Sequence, residues 1–378
     1  MGYKNSLRIA LCFLLSVFVC ANLSANENRW QDRLTINGFY TLDLTHADDT
    51  IPIISNGNIP RVLDAKESTL KNSVFGLQVE LEISSDLSAF VQGSTFYDQQ
   101  NEFDTSLDWA YLSYDPGNNY DIRLGRFLVP FLQGTELKSV GYSRLWARPL
   151  VPGSGAGGFI ENRGIELIKR VPLEDSYLSL QFSLGEPEHQ QWTVDGELLS
   201  LIAVKYERRD FWLRAALLHA DYEVFTPRGQ MIDDKASANM VSIETEVRFQ
   251  DIVVNAGLSD SDADISPDDM LSYLSVAYPM GPFTPFILAT RTSQHFEVFT
   301  APPPPSRAPP PPGGRPPPQR VGDNDRETLG IGFRYDPGGA YALKAQIERI
   351  EIVDESDPLR GRVDSEANVF TILLEGVF

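Results

Sequence analysis

From Arg33 onward the chain repeats one pattern: segments of about ten residues in which apolar and polar side chains alternate. Ser73 to Ser84 is the clearest, with Phe75, Leu77, Val79, Leu81 and Ile83 opposed to Gln78, Glu80 and Glu82. Successive side chains of a strand point to opposite faces of its sheet, so each segment has one apolar face and one polar or mixed face. About sixteen such segments follow one another, an even number. They run Arg33 to Leu44, Ser73 to Ser84, Leu87 to Phe96, Ser106 to Tyr114, Tyr120 to Phe127, Arg163 to Arg170, Ser176 to Leu184 and Leu198 to Arg208. The second half runs Phe211 to His219, Ala238 to Phe249, Ile252 to Ser259, Leu271 to Tyr278, Phe283 to Thr292, Arg326 to Tyr335, Tyr341 to Ile350 and Asn368 to Phe378. The connections alternate short and long. Ser85-Asp86, Asp115 to Asn119, Arg209-Asp210, Gln250-Asp251, Pro279 to Pro282 and Asp336 to Gly339 are tight turns. The intervening connections are long. A sandwich has no reason to put every long loop at one end; an antiparallel up-and-down barrel does. Closure also removes the exposed edges that so many strands would leave. The expected fold is all-β, a transmembrane barrel of about sixteen strands.

The first 25 residues read as a secretory signal. Lys4 and Arg8 make a basic start, Ile9 to Val19 an apolar stretch too short for a comfortable span, and Leu23-Ser24-Ala25 a small-residue cleavage site. Val19 before Cys20 argues against a lipoprotein. Both cysteines, Cys12 and Cys20, lie in this leader, so residues 26–378 have neither a disulfide nor a thiolate metal site. The formal charge of −20 becomes −20 − 2 = −22 on losing Lys4 and Arg8. Such an acidic exported chain is a poor nucleic-acid binder. No later stretch is apolar enough for a transmembrane helix, so a membrane-spanning form has to be a closed barrel. The short turns are then expected at the periplasmic end and the long loops outside. The last segment places Phe370, Ile372, Leu374 and Phe378 on one face and Thr371, Leu373, Glu375 and Val377 on the other.

The stretch Trp109 to Tyr114, followed by Asp121 to Phe127 and then Pro130-Phe131, resembles a strand pair of the phosphate-selective porins and related uncharacterised porins of Gram-negative bacteria. Those often carry Gly-Gln-Phe where this chain has Gly125-Arg126-Phe127. The resemblance runs over the whole mature chain. It implies an outer-membrane location, passive transport of small hydrophilic solutes or ions without a cofactor, and contact with outer-membrane lipids and lipopolysaccharide. It also implies that Phe378 is a girdle residue read by the barrel assembly machinery. A homotrimer follows by analogy alone. Phosphate specificity is not carried over, because the lysines associated with it cannot be placed and the acidic balance argues against simple anion preference.

The loop that bears on function is the third long one, Leu128 to Asn162, with Glu136, Lys138, Arg144, Trp146, Arg148 and Glu161. Loops of this length are functional or disordered. In porins the third loop folds inward, and Gly153 to Gly158 would let this one turn sharply. Arg123 and Glu166 lie on the inward pattern of the adjoining strands, with Arg126 at the junction. The expectation is a basic side formed by Arg126, Arg144 and Arg148, facing lumenal Glu80, Glu82, Glu244 and Glu246. The proline-rich connection, 293–325 with its run from Ala301 to Gln319, cannot join a ladder and reads as a surface spacer or a partner-binding tip. Asp260 to Asp269 is an acidic loop lacking the Gly and closing Glu of a calcium hand, so no metal site is expected. His46, His189, His219 and His295 are placed at or above the outer rim with no Ser or Asp motif beside them, so no enzymatic site is expected either. The alternative to a porin is a surface-binding barrel, an adhesin or receptor using its loops. Length leaves no room for a separate large plug domain.

Overall fold

Alternation along a strand separates two faces, and closing the sheet turns them into an inside and an outside. The computed structural model describes residues 31–55, 59–97, 103–132, 134–150, 161–188, 193–225, 231–264, 268–300, 319–355 and 362–378. The leader, Gly153 to Gly158, His189 and the proline run up to Pro318 lie outside the described residues.

Sixteen strands form the barrel. They are β1 Leu34–Ala47, β2 Val74–Ser84, β3 Leu87–Tyr97, β4 Phe103–Tyr114, β5 Tyr120–Leu128, β6 Glu161–Pro172, β7 Ser176–Glu188 and β8 Thr193–Arg208. Then come β9 Phe211–Phe225, β10 Met231–Phe249, β11 Ile252–Ala263, β12 Asp268–Ala277, β13 Phe283–Thr300, β14 Gln319–Tyr335, β15 Tyr341–Asp354 and β16 Val363–Val377. Each pairs antiparallel with its sequence neighbours, and β1 closes the ring. Its lower part, Leu34 to Thr41, pairs with β2, and its upper part, Phe39 to Ala47, pairs with β16. A two-residue segment, Ser68–Thr69, adds to the top of β1, and the first loop carries a separate hairpin, Ile51–Ser55 with Ile59–Leu63. Among the described residues no helix is long and apolar enough to cross a membrane.

Burial identifies the faces. On β1, Leu42 is 52% exposed while Thr41 and Asp43 are fully buried; on β16, Ile372 is 57% exposed and Thr371 is buried. The same alternation continues around the ring, with Ile202, Leu217, Ile243, Leu274, Ile287, Leu329 and Ile347 among the exposed apolar residues. An apolar belt on the outside of a closed barrel is stable only against hydrocarbon. Exposed aromatic residues gather at the short-turn end: Tyr114, Tyr120, Tyr177, Phe249, Tyr278, Tyr335, Tyr341 and Phe378. Their position is that of the aromatic girdle of a membrane barrel. Phe378 exchanges backbone hydrogen bonds with Gly38 at 2.8 and 2.9 Å, and its ring lies over that glycine beside Phe75. A Cβ on Gly38 would overlap the ring.

The strands are taller than expected at the long-loop end. β8 begins at Thr193 instead of Leu198, β9 continues to Phe225, β10 begins at Met231, β13 runs to Thr300 and β14 begins at Gln319. Above the membrane both faces meet water, so the alternation stops while the backbone ladder goes on. A cross-strand ion pair, Arg291–Asp325 at 3.2 Å, and a hydrogen bond between His295 and Asp323 at 2.7 Å accompany it. The acidic stretch is likewise mostly strand. Asp260 and Asp262 belong to β11 and face outward, while Asp268 and Asp269 open β12 with Asp269 buried inside. These carboxylates do not converge, and no group of His, Cys, Asp or Glu able to hold a metal occurs among the described residues.

Candidate functional site

A water-filled barrel should have a polar inner wall. The inner wall of β8, β9 and β10 is apolar instead, with Leu199, Leu201, Ala216, Leu218, Ala238 and Met240 all buried. What buries them is the start of the third loop. Beyond Leu128 the chain lays Val129, Phe131 and Leu132 against this patch. Backbone groups brought inside need partners. Arg214 donates one Nη to the Phe131 carbonyl at 2.7 Å and the other to the Pro130 carbonyl, and Ser242 Oγ donates to the Phe131 carbonyl at 2.8 Å.

The loop then makes two short 3-10 turns, Thr135–Leu137 and Gly141–Ser143, and reaches another sector of the wall. Arg334 of β14 donates to the carbonyls of Tyr142 and Arg144 at 2.6 and 2.8 Å. Lys344 of β15 donates to the Gly141 carbonyl at 2.9 Å, and the Ala147 N–H donates to Gln346 Oε1 at 2.8 Å. Arg148 donates to Thr371 Oγ1 of β16 at 2.6 Å and ion-pairs with Glu348. Lys344, Gln346, Glu348 and Thr371 are all on the face opposite exposed Leu343, Ile347 and Ile372, so the loop runs across the interior.

The residues singled out from sequence fall into groups. Arg123 stands opposite Glu166 in the β5–β6 register and bonds it at 3.0 Å, with Asp121 at 3.1 Å and Glu136 at 3.4 Å. Glu166 is fully buried and also accepts from Gln181 at 2.7 Å and Ser183 at 3.0 Å. Glu161 takes both Arg126, at 2.6 Å, and Lys138, at 3.1 Å. Arg144 donates to the Lys138 carbonyl at 2.9 Å, which ties the two halves of the loop together. Glu244 accepts from the Tyr273 hydroxyl at 2.8 Å and lies 3.8 Å from Arg214. Glu246 pairs with Arg248 at 2.7 Å. Glu80 and Glu82 stand low on β2, near its turn, with Glu80 opposite Thr35. Arg126 and Arg148 therefore each sit against a carboxylate of the neighbouring wall, Arg126 sharing its partner with Lys138. Phe378 occupies the girdle position described above.

Three inner features were not singled out. The pair Lys344–Glu375, at 2.6 Å, is almost completely buried beneath Gly141. Asp108 is buried on β4 and accepts from Gln92 at 2.9 Å and Ser94 at 2.8 Å. The first loop also folds inward. Ile51, Ile53 and Leu63 of its hairpin pack on Ala47, Ile350, Ala367 and Val369, all on the inner face, and Arg326 of β14 donates to the Pro52 carbonyl at 2.9 Å. The signal was in the sequence: Ile51-Pro52-Ile53-Ile54 is apolar, and so are the inward positions it covers. The histidines described behave differently. His46, His219 and His295 face outward and bond Ser68, Asp221 and Asp323 respectively.

No protein-family model matches this sequence, and no curated protein matches it in sequence. Solved structures match in fold. OmpF of Salmonella typhi, determined in complex with daunomycin, aligns with a TM-score of 0.58 at 13% identity, over 91% of this chain and 97% of that one. The anion-selective porin of Comamonas acidovorans aligns at 0.54 and 14%, over 91% and 99%. The trimer form of OmpT, an outer membrane protein of Vibrio cholerae, aligns at 0.54 and 10%, over 91% and 99%. At these identities the likeness is one of architecture: the chain has the sixteen-stranded barrel fold of the outer-membrane porins.

Proposed function

We propose that this chain is a porin of a Gram-negative outer membrane, a passive channel for small hydrophilic solutes or ions whose bore is narrowed by the third loop. The observation that carries the reading is the double anchoring of that loop. Its start is held by Arg214 and Ser242 on one sector of the inner wall, and its return by Arg334, Lys344, Gln346 and Thr371 on another. A segment fixed at both sides narrows a channel to a constant size, and charges confined there act in a reduced dielectric. Arg126 and Lys138 share Glu161 and Arg148 meets Glu348, so the acidic excess of the whole chain, with Glu80 and Glu82 low on the wall, favours weak cation preference. The trimeric neighbour supports a homotrimer. The test is reconstitution in a planar bilayer: stepwise conductance, with a reversal potential shifted toward the cation, is expected. Silent but folded barrels would overturn the channel.

A second reading, a surface-binding barrel, rests on the tall β13–β14 hairpin with the proline run between its strands. Deleting residues 301–318 separates the two. Unchanged conductance with loss of attachment to a host surface or partner would favour binding, and unchanged behaviour in both would favour the porin.

A further inference from the structure

Below the third loop, the lumen keeps a cavity of about 410 Å³ at the short-turn end of β9 to β13. Its composition is unusual for a hydrophilic bore. The ceiling is loop, with Leu132, Trp146 and Leu150, and the wall is Trp212, Val253 and Tyr273. Trp146 and Tyr273 stand with ring centroids 6.2 Å apart and planes tilted by 56°, leaving their faces at an angle to the space. At the mouth, Glu246 and Arg248 form an ion pair in which Nε meets Oε1 at 2.7 Å. This contact uses one nitrogen of the guanidinium and one oxygen of the carboxylate. Arg248 is 59% exposed, so its Nη groups are accessible to an anion, and Glu246 Oε2 is left for an ammonium group. Apolar lining with a few convergent polar groups, at a volume within the range of about 300–1,000 Å³, is the composition of a small-molecule site.

We infer that this cavity is a solute subsite for small amphipathic zwitterions, with an aromatic or branched body against Trp146, Tyr273 and Trp212 and the paired charges against Arg248 and Glu246. The inference deepens the porin reading and rests on it for the route by which solute arrives. Glu246 and Arg248 stand side by side on one strand, two residues apart, which suits a carboxylate and an ammonium borne on one carbon, while Glu244 is engaged by the Tyr273 hydroxyl and Arg214. A singly charged solute would meet one favourable and one unfavourable partner. A small polar zwitterion such as glycine would leave the aromatic walls uncovered.

The experiment uses the full barrel in two formats. Intrinsic tryptophan emission in detergent reports occupancy, and single-channel current in a bilayer reports passage. The probes are L-phenylalanine, glycine, 3-phenylpropionate and 2-phenylethylamine. L-phenylalanine is expected to shift the emission and to produce brief current interruptions, both saturating in the millimolar range. Glycine should do neither, and the singly charged analogues should need higher concentrations. The double variant Glu246→Gln/Arg248→Met, at two side chains of the mouth, should raise the concentration for half effect about tenfold, as expected for losing a charge-assisted contact. Trp146→Leu should weaken the emission change, leaving Trp212 as the reporter, and the mouth variant keeps the test valid if Trp146→Leu does not fold. Equal responses to glycine and L-phenylalanine, or identical titrations for wild type and the mouth variant, would overturn the subsite. An emission response in a barrel that carries no current would keep the subsite and overturn the channel. Normal current with no L-phenylalanine response in either format would do the reverse.

Discussion

Replacing Lys344 with Met tests how the third loop is held. Lys344 and Glu375 are 1% and 0% exposed and sit 2.6 Å apart, and the same ammonium donates to the Gly141 carbonyl at 2.9 Å. Removing the lysine leaves a buried carboxylate without its counter-charge, a change that costs about 3–5 kcal/mol. The double variant Lys344→Met/Glu375→Leu removes both charges of the pair and leaves the Gly141 carbonyl, and the more distant Trp146 carbonyl, short of a donor, about 1–3 kcal/mol, while Arg144 keeps Asp43 and the Lys138 carbonyl. The single variant should therefore be less stable in its docked form than the double by about 2 kcal/mol, which is roughly thirtyfold in the docking equilibrium. Limited trypsinolysis reads this directly. Lys138 and Arg144 lie within the loop and are the sites trypsin can cut there, since Arg148 is followed by Pro149, and cleavage through a rapidly closing state tracks the open population. Fragment masses should show loop cleavage that is fastest in Lys344→Met, slower in the double variant and slowest in wild type. A double variant cleaved faster than the single one, or a single variant as resistant as wild type, would refute the claim that this pair fastens the loop.

Three further outcomes are expected. Phe378→Asp and Gly38→Leu should both lower the yield of heat-modifiable barrel in the outer membrane, because the first removes the girdle ring and the second displaces it; gel mobility with and without heating measures it. Replacing residues 51–63 with a short polar linker should uncover Ile350, Ala367 and Val369 and raise single-channel conductance, while the barrel itself still folds on its sixteen-strand ladder. The Asp48 carboxylate accepts from the Asn368 side chain at 2.7 Å and backbone at 2.8 Å, which holds its pKa below the ordinary value of 3.8. A depressed folded-state value means stability present above the unfolded value and lost as pH falls through the folded one, so Asp48→Asn should weaken the acid dependence of thermal melting below about pH 5.

Strand number, order and facing were legible because a membrane barrel writes them in the chain. The belt must be apolar on one face, so Phe75, Leu81, Leu112, Leu124 and Ile372 alternate with polar partners and mark their strands within a few residues. That signal ends where lipid ends. Above the belt, β13 and β14 continue through polar residues such as Arg291, Gln294, Asp323 and Asp325. Their pairing is set by backbone ladder and ion pairs, which leave no period-2 pattern to read. Alternation therefore ends below the tops of the strands, and Asp260 and Asp262 read as part of a surface loop although they lie on the outward face of β11.

The inner wall was legible only in part, for a different reason. Charge on the inward positions of Arg123, Glu166 and Glu244 could be assigned by alternation, and Arg123 and Glu166 meet across adjoining strands, but the partners of the loop come from remote parts of the chain. Arg148 meets Glu348 and Thr371 across two hundred residues of sequence, and no local pattern encodes that contact. Where the inward face departs from polarity, however, the departure carries information. Leu199, Leu201, Leu218 and Met240 face inward on neighbouring strands, and so do Ile350, Ala367 and Val369. Inward apolar side chains left in water would lose the burial that stabilises them, about 25 cal/mol per Å². Each patch thus requires a cover, and the chain offers two apolar stretches between strands to supply it, Val129 to Leu132 and Ile51 to Ile54. Reading the breaks in alternation, and not only the alternation itself, identifies both inward loops and the sectors of wall they occupy.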